Sequence, residues 1–391
     1  MKTVEIVSPE SVGMNSKGLE NVTKNIQKDI DAGITNGAVV LAARKGEICY
    51  YEAIGSTDIE ENRPAKIDDV FFLMSLSKSI TAVSVLKAID QGKFRLDTRV
   101  SEIFPEFGVN GKEYVTVFHL LTHQVNLMNS FYPVPGIDGL LGLTDLEAVA
   151  KAAAAVAPIS KIGGDFTYNP ILTYSVLGYL LVLTDEKKRS FSQIIKDEIF
   201  TPLGMTDTSF GRDKSDPRIV PMVFCYGPQK NKKEAVFLNG FDKGEVPGGN
   251  AYGTANDMFK FAEMLRLGGS YNGARILSPA MVKFAMNNYT GNKPNVSFTS
   301  DFYRLGIELE HIPGNYSLAG GYIRGEGYHG SPTGVLASPH SFAGMGGGTT
   351  VMMFDPEREL TVVYLGHGHT LGLEHFQRMQ KINDLIIGCI D

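Results

Sequence analysis

Phe72-Leu73-Met74-Ser75-Leu76-Ser77-Lys78-Ser79-Ile80-Thr81 is the stretch on which the reading of this chain turns. Upstream of its first serine, Val70 to Met74 is a short strand-like apolar piece that runs straight into Ser75. Downstream, Ile80, Val83, Leu86 and Ala88 to Ile89 recur at helical spacing, and Gly92 stands where a C-terminal cap is expected. Ser75 to Lys78 is therefore an S-x-x-K motif set where a strand gives way to a helix. A serine in the first turn of a helix lies beside unpaired backbone N–H groups, which favour developing negative charge. Lys78 follows one turn later on the same face, so its amine reaches the serine oxygen. To accept a proton at neutral pH that amine must be neutral. A lysine pKa near ~10.4 must then fall by roughly three units, about 4 kcal/mol, through burial or a neighbouring cation. The spacing alone is common: Ser84-Val85-Leu86-Lys87 repeats it inside the helix, where Ser84 reads as an ordinary helical residue. The bland alternative for Ser75 is a capping serine beside a solvated lysine.

Working outward, Ser16 caps a first predicted helix, with Leu19, Val22, Ile26 and Ile30 on one face and Gly33 at its end. Gly37 to Ala43, the turn Arg44-Lys45-Gly46-Glu47 and Ile48 to Ile54 form a predicted β-hairpin. Beyond the Ser75 helix the chain reads as mainly helical to about residue 210. There Thr144-Asp145-Leu146-Glu147 opens an alanine-rich helix as a capping box, and Ser175 to Leu183 is a further apolar helical run. Past that point glycine is frequent and strand-like runs return at Val351 to Phe354 and Leu360 to Leu365. One clear helix, Met258 to Leu267, opens at Thr254-Ala255-Asn256-Asp257 and closes at Gly268-Gly269, and a last helix covers roughly Leu373 to Ile387. Strands at both ends bracket a helical middle. The predicted fold is α/β (α+β): an antiparallel sheet flanked by helices, built from residues 1–74 and 211–391, with the mainly helical lobe 75–210 inserted. The active site is expected in the cleft between the two.

The 391 residues include 43% hydrophobic and 20% charged ones, ordinary proportions for a globular protein and contrary to disorder. A formal charge of −6 offers no basic field for nucleic acid or anionic lipid. Cys49, Cys225 and Cys389 are too few and too scattered for a disulfide framework or a metal site, and read as reduced thiols. The opening Met1-Lys2-Thr3-Val4-Glu5 lacks the apolar stretch of a signal peptide. No run approaches the roughly 18 apolar residues of a membrane span; the nearest, Ala148 to Ala157, is interrupted by Lys151 and stopped by Pro158. The expectation is a cytoplasmic protein with neither a nucleic-acid nor a membrane partner.

Several segments resemble, in order, the serine β-lactamase and penicillin-binding-protein superfamily. The resemblance is nearest to its class C-like branch, which holds family VIII carboxylesterases, D-stereospecific peptidases and fungal acyltransferases. Phe72 to Thr81 with Gly92-Lys93-Phe94-Arg95-Leu96-Asp97 looks like its nucleophile region, and His119-Leu120-Leu121-Thr122-His123 like its "LLTH" segment. Pro247-Gly248-Gly249 with Tyr252 to Asp257 resembles its glycine-rich turn and helix start, and Asp355-Pro356-Glu357 its "DPE" turn. The likeness covers essentially the whole chain. It implies an acyl-enzyme on Ser75, with Lys78 and a tyrosine handling the proton and no metal or organic cofactor.

The tyrosine element of that branch is matched by Phe166-Thr167-Tyr168-Asn169-Pro170, with Pro170 where an asparagine is usual. Tyr168 is carried over as the phenol, Asn169 as a substrate-side amide that stands in for the missing one, and Tyr174 remains the alternative phenol. The third element, usually Lys-Thr-Gly or His-x-Gly, falls on Gly344-Met345-Gly346, followed by Gly347-Gly348-Thr349-Thr350, without lysine or histidine. In penicillin-recognising relatives that cation helps hold a substrate carboxylate, so its loss implies an uncharged acyl group and a small neutral ester. Glycines there let the backbone approach closely. The implied oxyanion hole is the N–H of Ser75 with that of Gly347 or its neighbour Gly346.

Other candidates read as structural. His123 ends an apolar stretch and holds a loop, and Asn126 suits a left-handed turn position. His367-Gly368-His369 with His375 lacks accompanying carboxylates or cysteines and reads as a loop rather than a metal site. Gly321 to Gly334, carrying Tyr322, Arg324, Tyr328 and His329, is predicted as a flexible insertion.

Overall fold

In the computed structural model, which describes residues 4–127, 134–233, 239, 241–295, 313–327, 330–370 and 372–391, the two ends of the chain meet in one sheet. Its strands are β1 (Gly37–Arg44), β2 (Glu47–Asp58), β3 (Arg63–Pro64), β7 (Tyr322–Ile323), β8 (Phe342–Gly346), β9 (Thr350–Asp355) and β10 (Leu360–His367). Their order is β3-β2-β1-β10-β9-β8-β7, and every neighbouring pair is antiparallel. The hairpin turn is Lys45-Gly46, both at positive φ (55° and 86°), which matches the right-handed twist of the strands it joins.

Strand periodicity explains why the sheet is buried on both faces. Val39 and Leu41 join the core cluster shared with the helical middle, while Ala38, Val40 and Ala42 join a second cluster on the opposite face. Val363 and Leu365 alternate with Val362 and Tyr364 in the same way. The second face is covered by α1 (Ser16–Asp31) and by α6 (Gly372–Ile387), the first by α2 (Ser77–Asp90) and by α5 (Ala255–Arg266). A small three-stranded sheet, β4 (Phe71–Phe72), β5 (Ser209–Phe210) and β6 (Ala251–Gly253), stands beside the entry to α2. In the helical middle, α3 (Leu146–Ala155) packs on α4 (Leu172–Leu183), and α4 on α2.

Local expectations need correction at four points. The cap of α1 is Asn15, whose Oδ1 accepts the Gly18 N–H at 2.8 Å, not Ser16. Asp145 rather than Thr144 caps α3, accepting the Ala148 N–H at 3.0 Å, because Thr144 turns back to the Leu141 carbonyl. The strand before Ser75 ends at Phe72, and Met74–Leu76 is a 3₁₀ turn. Finally, α2 is not one-faced: Ser77 through Leu86 are all buried, since the sheet lies on one side and α4 on the other. Each of its fully buried Ile, Val and Leu side chains contributes roughly 1.5–3 kcal/mol of transfer free energy.

Among the described residues of the Gly321–Gly334 stretch, an edge strand and a buried guanidinium stand where a flexible insertion is predicted. Tyr322 and Ile323 pair with Ala343 and Phe342 as an edge strand, and the Arg324 guanidinium donates to the Gly327 and Val335 carbonyls. Tyr328 and His329 lie outside the described residues. Among the described residues no helix is long and apolar enough to cross a membrane.

Candidate active site

The turn that presents Ser75 is held open by an unusual backbone. Met74 has φ 54°, a left-handed conformation that side chains with a Cβ rarely adopt, and it reverses the chain between β4 and α2. Hydrogen bonds pin the reversal from both sides. Ser77 Oγ donates to the Met74 carbonyl at 2.6 Å and accepts the Ala251 N–H at 3.0 Å. The second serine of the motif is thus the clamp that holds the first at a corner.

Tyr168 reaches this corner from the loop before α4, and its hydroxyl donates to Ser75 Oγ at 2.8 Å. His123 fixes that loop. Its backbone carbonyl accepts the Thr167 N–H at 3.1 Å and its ring Nδ1 accepts the Asn169 N–H at 3.2 Å, so one residue grips both neighbours of Tyr168. An imidazole nitrogen that accepts from an amide carries no proton, which places the His123 proton on Nε2. Burial, helped by the charge of Lys78, pushes the His123 pKa well below the usual range, so the ring is neutral. His123 itself sits at φ 53°, and its ring centroid lies 4.8 Å from that of Tyr168.

Lys78 is 3% exposed and has no carboxylate partner among the described residues. Its amine donates to the Ser75 backbone carbonyl at 2.8 Å and stands 4.8 Å from the centre of the Tyr168 ring. Burial alone drives its pKa well below that of an ordinary lysine. The same burial, reinforced by Tyr322, holds the Tyr168 phenol well above its usual range, against the opposing pull of the Ser75 hydrogen bond. An amine with a lowered pKa and a phenol with a raised one therefore meet at the Ser75 turn, the phenol on the hydroxyl and the amine on the backbone carbonyl rather than on Oγ. Tyr174, the alternative phenol, is fully buried in α4 within a ring cluster containing His123 and Tyr316.

The far wall is β8 and the turn after it. At Gly344 an added Cβ would come within 2.9 Å of Ser79 Oγ and 3.0 Å of Leu76 Cδ2, and at Gly346 it would collide with the Leu73 carbonyl. Glycine is what lets this strand lie against the turn carrying Ser75. Gly347 faces the Met74 side chain, and Gly348 takes φ 73°. Among the described residues, neither the Ser75 nor the Gly347 N–H donates to a backbone carbonyl of a turn or loop. Asn169 is 1% exposed, and its Oδ1 accepts the Leu172 N–H at 3.0 Å, capping the start of α4 behind Tyr168.

The histidines near the C-terminus are each held by the backbone. His367 bonds the Ser56 carbonyl at 2.8 Å, His369 that of Gly347 at 2.8 Å and His375 that of Thr350 at 3.2 Å. His367 belongs to β10, two residues beyond the predicted strand end, and His375 to α6. Sequence reasoning did not single out Thr350, whose hydroxyl donates to the Leu73 carbonyl at 2.9 Å, or Arg378. No signal marked the former. The latter is detectable only as the i+3 neighbour of His375 on the last helix.

Comparison with known proteins adds independent findings. A family model described as Beta-lactamase matches residues 22–382. Esterase EstB of Burkholderia gladioli is 30% identical over 264 residues, covering 59% of this chain and 65% of the esterase. Penicillin-binding protein 4* of Bacillus subtilis (strain 168) is 32% identical over 198 residues, 49% of this chain and 42% of that protein. The chain therefore matches less than two thirds of the length of either relative. A family VIII carboxylesterase structure superposes with a TM-score of 0.76 over 96% of this chain and 99% of that one, at 20% identity, a likeness of fold.

Proposed function

Because this chain belongs to the Beta-lactamase family, we propose that it is a serine hydrolase forming an acyl-enzyme on Ser75, and that it acts as a carboxylesterase on small neutral esters. The observation that carries the reading is the 2.8 Å hydrogen bond from the Tyr168 hydroxyl to Ser75 Oγ beside the buried amine of Lys78. In acylation Ser75 Oγ attacks the ester carbonyl. Its proton passes to Lys78 Nζ and is delivered through the Tyr168 hydroxyl to the leaving alkoxide oxygen. Water then attacks the acyl carbonyl, giving its proton to the same pair, and Ser75 Oγ is reprotonated as the acid departs. The developing oxyanion takes the N–H of Ser75 and that of Gly347 or its neighbour Gly346; one such donor is worth on the order of 10²–10³ in rate. Asn169, by capping α4, keeps Tyr168 in line.

Substrate charge follows from what the wall lacks. β8 has no lysine or histidine, burial lowers the pKa of His369 behind the turn, and the Arg378 guanidinium there is buried and engaged with the Gly348 carbonyl, which together favour an uncharged substrate. A panel of p-nitrophenyl butyrate, nitrocefin and a D-alanyl amide tests this, with turnover expected chiefly on the ester. Faster nitrocefin or amide hydrolysis would replace the esterase reading by a β-lactamase or amidase one. Acyl transfer to an added alcohol would mark a transferase. A folded protein that a fluorophosphonate fails to label at Ser75 would be a silent binding protein of this fold.

The pH profile checks the base. Lys78 acts only when neutral, so kcat/KM rises with pH through an acid limb set by the free enzyme. That limb is expected well below the ordinary lysine range, in keeping with the burial of the amine. A limb at the ordinary lysine value would remove Lys78 from the role of base.

A further inference from the structure

Behind the glycine turn stands a cation with no ion-pair partner. Arg378 on α6 is 5% exposed, and among the described residues no carboxylate pairs with it. Its Nη2 donates to the Gly348 carbonyl at 2.9 Å and to His375 Nδ1 at 2.9 Å. Guanidinium only donates, so His375 Nδ1 is the acceptor and the ring proton sits on Nε2, directed at the Thr350 carbonyl at 3.2 Å. Thr350 Oγ1 in turn donates to the Leu73 carbonyl at 2.9 Å, two residues before Ser75. A separate ring closes the other half: the Gly347 carbonyl can only accept, so His369 Nδ1 carries the proton of their 2.8 Å bond.

We propose that Arg378, through His375 and Thr350 and together with His369, is a positioning residue that locks the Gly347-Gly348 turn and the Ser75 turn into one register, and so sets the spacing of the two oxyanion donors. The inference rests on the serine-hydrolase reading. Its physical basis is that both donors are backbone groups on separate segments, and neither segment by itself fixes the distance between them. Gly346-Gly347-Gly348 has no side chain beyond a hydrogen to fix its dihedral angles, and Met74 holds a conformation that persists only when its surroundings impose it. The network reaches both segments from α6, on the face of the sheet opposite α2, so it acts on spacing rather than on substrate.

Arg378→Met keeps the volume and removes the donors; Thr350→Val removes only the hydroxyl that grips Leu73. Both are expected to lower kcat on p-nitrophenyl butyrate about 10- to 100-fold and to weaken an alkyl boronic acid inhibitor in parallel, with KM within about threefold, as expected when donor placement is lost. Arg378→Lys is expected to recover part of the loss. Hydrogen exchange of the peptide spanning residues 344–350 is expected to quicken in Arg378→Met and in Thr350→Val. Folded variants with kcat and exchange unchanged, or with KM alone affected, overturn the proposal; if Arg378→Met does not fold, Thr350→Val decides it. A wild type that no fluorophosphonate labels overturns the serine-hydrolase reading instead, and the exchange rates still decide whether the network grips the turn.

Discussion

Ser75→Ala is expected to reduce ester turnover by a factor on the order of 10³ or more while leaving the fold intact, since removing an attacking nucleophile eliminates the covalent route rather than weakening one contact. The structural cost is small. Among the described residues the hydroxyl of Ser75 makes a single side-chain hydrogen bond, to Tyr168, and one such bond is worth about 1 kcal/mol net. The 3₁₀ turn is held by Ser77 and by the Leu76 N–H on the Leu73 carbonyl, neither of which involves Ser75 Oγ. Parallel thermal unfolding and p-nitrophenyl butyrate assays separate the two quantities. Wild-type turnover by a folded Ser75→Ala protein would eliminate the acyl-enzyme on this residue.

Lys78→Met is expected to affect activity and stability in opposite directions. Removing a general base costs roughly 10²–10⁴ in rate, and the near-isosteric methionine cannot replace it. For stability, the amine is a burden. The unfolded chain carries Lys78 protonated at neutral pH, whereas burial lowers its pKa well below the ordinary value in the fold. Because the folded pKa is depressed, the unfolded state binds more protons, and the penalty grows as pH falls from the ordinary lysine pKa toward the folded one. Above the ordinary value both states are neutral and the penalty vanishes. Lys78→Met abolishes it and forfeits the bond to the Ser75 carbonyl and the contact of the amine with the Tyr168 ring. The melting temperature at neutral pH is therefore expected to stay level or rise, and its gain over wild type to shrink toward alkaline pH. A strongly destabilised variant would mean that the amine holds the Ser75 turn together.

Backbone strain also stands near the Ser75 turn. Met74 and His123 both occupy left-handed backbone positions without being glycine, one beside Ser75 and one behind Tyr168. The substitutions Met74→Gly and His123→Gly would relieve those dihedral angles, but each would remove a side chain that packs on Gly347 or brackets Tyr168.

Much of this was legible in residue order, for reasons that are local. Alternation and helical spacing placed β1, β2, β9, β10, α2 and α5 within a few residues, because burial of one face leaves a period in the chain. The glycines from 344 to 348 pointed to a close backbone approach, and at Gly346 an added Cβ would meet the Leu73 carbonyl. Ser75, Lys78 and Tyr168 were picked out by spacing and by resemblance. The caps at Asn15 and Asp145, the short β4 and the all-round burial of α2 were not, because each depends on which of several competent neighbours the tertiary packing favours. Distance along the chain hides the rest. That His123 grips both sides of Tyr168, that Ser77 ties α2 to β6, and that Arg378 reaches Gly348 are facts of long-range packing, in which a hydrogen bond joins residues whose sequence separation carries no period and no motif. The amino-acid order specifies which groups are present and which turn they occupy. Their ionisation and mutual reach come from folding, because only burial strips water from an amine and only the closed sheet brings a phenol to a hydroxyl 93 positions away.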